Sequence, residues 1–167
     1  MKSFQEQYNN QKTKMDKHLL YNESDIEMMK LAENALSMGK NRIVEIRNYA
    51  KLAGFKRIGI ANCISLQKET NHLKEMLSDD FEVHTIDCRC GRLVASEYLG
   101  NEVKGIMCNP AGQAKFLEEN NTELNIVMGL CIGHDMMFTS KSKAPSTTLI
   151  VKDRKHKYNP IEIFKTL

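Results

Sequence analysis

Apolar side chains return at near-helical spacing from Ile26 to Met38, through Met29, Leu31, Ala32, Ala35 and Leu36, and Ser24 with Glu27 has the form of a capping box. The pattern predicts a helix over about 25–38, with Gly39 as its stop. Asn41 then caps a second helix whose buried stripe is Ile43, Ile46, Tyr49, Ala50 and Ala53, ended by Gly54. Residues 1–22 are mostly polar, with apolar side chains too sparse to fix a helical face, and read as an arm preceding a single domain over 23–167.

Beyond Gly54 the period changes. Arg57-Ile-Gly-Ile-Ala-Asn-Cys63 reads as a buried strand in which Gly59 and Ala61 alternate with Ile58 and Ile60, leaving one face open to close packing. Ser65 to Leu77 returns to helical spacing, and Phe81 to Asp87 is a strand with Glu82 and His84 between its apolar positions, which suits a sheet edge. After Cys88-Arg-Cys-Gly91 comes a weakly patterned stretch of one or two helical turns. Asn109 as cap and Pro110 at the first helical position then start a helix reaching about Asn120. Leu124 to Gly129 is a third strand, Gly133 to Ser142 a short helix, Thr147 to Val151 a fourth strand, and Asn159-Pro160 opens a terminal helix.

Strands alternating with helices through right-handed crossovers predict a three-layer α/β/α domain, Rossmann- or flavodoxin-like. Its mainly parallel sheet has about four strands in the order 2-1-3-4, with the less apolar second strand outermost. Ligands of such sheets bind in the crevice at the carboxyl ends of the strands. No internal repeat and no Pro-, Gly- or Ser-rich linker divides the chain.

Composition narrows the function. With 24 Lys plus Arg against 21 Asp plus Glu, the formal charge of +3 is too small to announce a nucleic-acid partner. The start of the chain lacks the apolar core of a secretory signal, and no run of about eighteen apolar residues occurs, so a cytoplasmic protein without a membrane partner is expected. In that compartment five cysteines read as free thiols, metal ligands or redox groups, not as a disulfide framework.

All five stand where strands end or helices begin. Cys63 ends the first strand, Cys88 and Cys90 follow the second, Cys131 follows the third, and Cys108 precedes the Asn109 helix, whose free N–H groups favour a thiolate. Thiolates gathered at one rim suit zinc or an iron-sulfur centre, so Cys63, Cys88, Cys90, Cys108 and Cys131 are the expected metal ligands. The spacing is less specific than the residue types, because Cys88 and Cys90 form a CxC pair and no CxxC occurs. Cysteine is also a small buried hydrophobe, and a ligand-binding module with ordinary buried cysteines is the plainest alternative.

Gly129-Leu-Cys-Ile-Gly-His-Asp135 supports a different chemistry. Glycines around Cys131 permit a sharp turn that presents the sulfur as a nucleophile, with backbone N–H groups at Asn109 and Gly133 available to hold a bound anion or substrate. His134 would handle the proton, and Asp135 or Asp87 would orient it. His134 and Asp135 equally suit the opening of the next helix. The run Lys152-Asp-Arg-Lys-His-Lys157 reads as a solvated turn. Walker, GxGxxG, HExxH and GxSxG fingerprints are absent.

Three segments carry a family likeness: Met107-Cys-Asn-Pro-Ala-Gly-Gln-Ala114, Glu123 to Asp135, and Ser142 to Asp153, with Asn159-Pro160 beyond them. They resemble an uncharacterised prokaryotic family, a domain of unknown function numbered eighteen forty-seven, and the resemblance spans about residues 24–167. It implies a metal-binding label without an established reaction. Members typically carry a further N-terminal cysteine cluster thought to bind zinc, and residues 1–62 of this chain contain no cysteine.

Overall fold

The computed structural model describes residues 20–165. The predicted polar arm lies, for residues 1–19, outside the described residues. Helix α1 spans Glu23–Ala35 and starts earlier than the periodicity suggests, because Asn22 and Asp25 exchange side chain to backbone hydrogen bonds of 2.9 Å in each direction. That reciprocal box, not Ser24 with Glu27, satisfies the first free N–H groups. The helix also ends early: Leu36 turns to extended backbone, and Met38 is fully exposed. Helix α2, Arg42–Leu52, is capped as expected by Asn41, whose side chain accepts the N–H groups of Ile43 and Val44.

Strand β1 is Arg57–Asn62, followed by one 3-10 turn and helix α3, Gln67–Leu77. Strand β2 is Glu82–Asp87, and the weakly patterned stretch holds a 3-10 turn at Cys90–Arg92 and the single turn α4, Ser96–Leu99. Helix α5, Pro110–Glu119, leads to β3, Leu124–Met128; α6, His134–Lys141, leads to β4, Ser146–Ile150. The last element, Pro160–Lys165, winds as a 3-10 helix, tighter than the α-helix its cap and proline suggest.

All strand pairs are parallel and the order is β2-β1-β3-β4, as predicted. Strand β1 is central and almost fully buried, which explains its small and β-branched residues. Its side chains alternate between two cores. Ile58 and Ile60 join Ile46, Ala50, Leu73 and Leu77 of α2 and α3 on one face. Ala61 and Cys63 join Ala114 and Leu117 of α5 and Phe138 of α6 on the other. Each fully covered Ile, Leu or Phe contributes about 1.5–3 kcal/mol by leaving water, so the two cores carry most of the stability.

Gly59 is where these layers come closest. A side chain there would collide with the Asn125 amide and meet Leu117 at 2.9 Å, so α5 rests directly on the strand backbone. Around it Asn125 is fixed from both sides, accepting from Thr122 Oγ1 and donating to Ser142 Oγ, each at 2.8 Å. On the opposite face Asp80, in the turn between α3 and β2, pairs with Arg47 and, at 2.9 Å, with Lys51, both on α2. Those hydrogen bonds, from Lys51 first and Arg47 next, hold the Asp80 carboxyl below its ordinary range.

Two outcomes follow. Gly59→Ala should destabilise the fold by about 1–3 kcal/mol through overpacking, read as a lowered denaturant midpoint with an unchanged m-value. Asp80→Asn should lower stability at neutral pH and lose its effect in acid. A depressed carboxyl contributes fully above its unfolded-state pKa, and its contribution disappears as pH falls through the folded value. Urea titrations of both proteins across an acid pH series measure the convergence.

Candidate functional site

The register between β1 and β2 brings two thiols side by side. Asn62 pairs with Asp87, so the next residues, Cys63 and Cys88, leave neighbouring strands at the same level. They lie on the same face as Ala61 and Ile86 and join the core beneath α5. Gln113 on α5, wholly buried, closes the strand ends below them by donating to the carbonyls of Asn62 (3.1 Å) and Ile86 (2.9 Å). Its amide thereby ties α5 to the carboxyl ends of β1 and β2.

Cys63 carries the densest polar surroundings of the five thiols. Its sulfur lies 3.1 Å from Ser65 Oγ and accepts from Lys152 Nζ at 3.2 Å. Lys152 also reaches Ser65 Oγ (3.0 Å) and the Tyr158 hydroxyl (3.2 Å), while Ser65 and Tyr158 are 2.8 Å apart. The ammonium sits 5.1 Å from the centre of the Tyr158 ring. Burial alone would raise the Cys63 pKa, but the hydrogen bonds from Ser65 and the bond and charge of Lys152 outweigh it, and the thiol is more acidic than usual. Burial likewise opposes the charge on Lys152, whereas its bonds to Cys63 and Tyr158 favour it, and its pKa is raised. Each group therefore favours the charged form of the other.

Local backbone explains how the tail reaches this sulfur. Lys157 (φ 51°) and Tyr158 (φ 68°) are consecutive left-handed residues, a conformation that costs energy for side chains other than glycine. The turn is secured by Asp153, which accepts from the His156 backbone (2.9 Å), contacts His156 Nδ1 (3.0 Å), and whose carbonyl accepts from Tyr158 N–H (2.8 Å). It folds the Tyr158 ring back over the exit of β1. Gly129, in left-handed backbone at the exit of β3, leaves room for Leu66 and Tyr158 to cross there.

Cys88 and Cys108 form a pair. Their sulfurs are 3.6 Å apart, with Cys108 donating, and the Asn109 N–H binds the Cys88 carbonyl at 2.7 Å. Cys88 is 3% exposed, and burial, reinforced by the neighbouring Cys108 and Cys63 sulfurs, pushes its pKa up to about 12 against a weak bond from Ile64 N–H. Asn109 caps α5 through Gly112 N–H (2.8 Å) and donates to the Cys90 carbonyl (3.2 Å). Cys90 points its sulfur at the Asn109 carbonyl (3.6 Å), and burial together with the Asp87 charge raises its pKa.

Cys131 stands apart from this group, its sulfur accepting from Arg154 at 3.1 Å. Its carbonyl receives the backbone N–H groups of His134 and Asp135. Neither the His134 nor the Asp135 side chain is hydrogen-bonded to the sulfur; the Asp135 carboxylate takes the Met136 N–H at 2.7 Å. Gly133, with φ 83°, is the N-cap of α6 and offers no side-chain cap. All five cysteines are free thiols. Among the described residues no three Cys, His, Asp or Glu side chains are arranged to hold a metal ion.

Ser65, Gln113, Lys152, Arg154 and Tyr158 are the site residues that sequence patterning missed. The basic run at 152–157 is not merely solvated, since Lys152 and Arg154, spaced by two, each turn onto a different thiol. Elsewhere, an apolar cavity of about 330 Å³ lies at the amino ends of β3 and β4, against α1 and α2, and its lining contains no cysteine.

Among the described residues no helix is long and apolar enough to cross a membrane. Comparison with known proteins agrees with the family resemblance. An uncharacterised protein of Methanocaldococcus jannaschii is 47% identical over 126 residues, which is 73% of this chain and 65% of that relative's length. The chain thus spans somewhat under two thirds of the relative it matches. The family described as protein of unknown function (DUF1847) matches residues 1–149, nearly the whole length, and the chain belongs to that family.

Proposed function

We propose that the protein is a thiol-dependent catalyst or carrier whose reactive group is the Cys63 thiolate. The observation that carries this reading is the Lys152 ammonium 3.2 Å from the Cys63 sulfur, held there by Ser65 and Tyr158. A thiolate, not a thiol, is the nucleophile, and a neighbouring cation raises its population at neutral pH. Cys63 is only 8% exposed, and Ser65 beside it is exposed, so the geometry favours a small electrophile entering past Ser65. Lys152, with its ordinary charge, would then balance negative charge developing on the substrate.

The earlier expectation made Cys131 the nucleophile with His134 and Asp135. Cys63 is preferred because its polar partners contact the sulfur itself, whereas His134 and Asp135 meet Cys131 through backbone. Zinc or iron-sulfur binding by Cys63, Cys88, Cys90, Cys108 and Cys131 draws less support, since Cys131 is engaged by Arg154 and Cys90 by the Asn109 carbonyl. The free thiols of this reading suit the reducing cytoplasm.

Alkylation by iodoacetamide, followed by peptide mass spectrometry across a pH series, tests the reading. Cys63 should titrate below an ordinary thiol. Lys152→Met should slow its modification severalfold at neutral pH and move the profile to higher pH, the two rates converging once both sulfurs are ionised. Because access is shared by the two proteins, the ratio reports acidity. A profile unchanged by the substitution would overturn the proposal. Elemental analysis of anaerobically purified protein should find no stoichiometric zinc or iron; one metal per chain that shields Cys63, Cys88 and Cys108 from alkylation would replace this reading with the metal one.

A further inference from the structure

Cys88 and Cys108 play no part in the function just described, yet they are the two thiols in direct contact. Their sulfurs, 3.6 Å apart, must approach by about 1.5 Å to reach a disulfide bond length. The flanking backbone is already joined by the 2.7 Å bond from Asn109 N–H to the Cys88 carbonyl, which holds the two cysteines side by side. The two sulfurs also differ in the way a directional exchange requires. Cys108 is half-buried and precedes the first turn of the ten-residue helix α5, whereas Cys88 is sealed in the core.

We infer that Cys88 and Cys108 form a redox-active dithiol that reduces small disulfides, with Cys108 attacking and Cys88 resolving. Cys108 gives up its proton to water, and its thiolate attacks one sulfur of a low-molecular-weight disulfide, RSSR. The S–S bond of the substrate breaks, the first RS⁻ leaves and takes a proton from water, and Cys108 carries a mixed disulfide. Cys88 then attacks Cys108 Sγ, the Cys108–SR bond breaks, and the Cys88 proton passes to the second RS⁻ as it leaves. The chain loses two electrons and two protons as a Cys88–Cys108 disulfide forms, and RSSR becomes two RSH.

The asymmetry sets the order of attack. Cys88, 3% exposed, is out of reach of an entering disulfide and does not compete for it, and its thiol, whose pKa burial raises, meets a disulfide bond only when Cys108 carries one beside it. Closure staples the exit of β2 to the start of α5 and encloses Cys90 and α4 in the loop. The oxidised chain is therefore expected to melt at a higher temperature than the reduced one.

Incubating the full-length protein with oxidised glutathione, then mapping peptides by mass spectrometry, decides the matter. The expected product has lost two hydrogens and links the Cys88 and Cys108 peptides, with the fold retained by circular dichroism and a raised Tm. Cys88→Ser should trap glutathione on Cys108, and Cys108→Ser should leave Cys88 unmodified. A folded wild-type chain that forms no bond between these two residues, or that pairs either of them with Cys63 instead, overturns the inference. The Lys152-dependent alkylation of Cys63 is read independently of either result, so the two proposals fail separately.

Discussion

Parallel pairing of β1 with β2 on one side and β3 on the other is the constraint on which every other placement depends. It sends all strand exits to one rim, and the pairing of Asn62 with Asp87 makes Cys63 and Cys88 neighbours although twenty-four positions separate them in the chain. A slip of one residue would turn one of the two sulfurs to the opposite face. Gln113 supports that arrangement from α5 by donating to the Asn62 carbonyl that ends β1 and to the Ile86 carbonyl one residue before the end of β2, so helix, strands and thiols share one register.

Within this frame, opposite physical effects act on adjacent sulfurs. Burial is the largest influence on both Cys63 and Cys88. At Cys88 nothing strong opposes it. At Cys63 a hydroxyl and an ammonium overcome it, and the result is an acidic thiol next to a reluctant one. Residue type and strand position are the same, so the difference lies in the partners each sulfur meets: Ser65 from the following turn and Lys152 from the segment after β4 reach Cys63 and not Cys88.

The fold was largely legible because its signals are local: caps at Asn41 and Asn109, the apolar run of β3, and the polar positions that mark β2 as an edge. Where expectation and structure part, a competing local bond decides, as when Asn22 with Asp25 displaces the Ser24 box. The convergence of strand-end cysteines could be anticipated from topology, but their separation into Cys63 with Lys152, Cys88 with Cys108, and Cys131 with Arg154 could not. Tyr158, which holds Lys152 beside Cys63, is placed by a left-handed turn at Lys157 and Tyr158, and no spacing rule marks non-glycine residues for that conformation. Lys152 and Arg154 looked like ordinary surface charge because composition does not reveal which way an alternate residue of a loop will turn.

The cation that acidifies Cys63 belongs to the segment after β4, the final strand. During synthesis the first strand leaves the ribosome long before that segment exists, and until then the sulfur has Ser65 but no cation beside it. The contact with Lys152 is made only once the segment after β4 has folded back over the exit of β1.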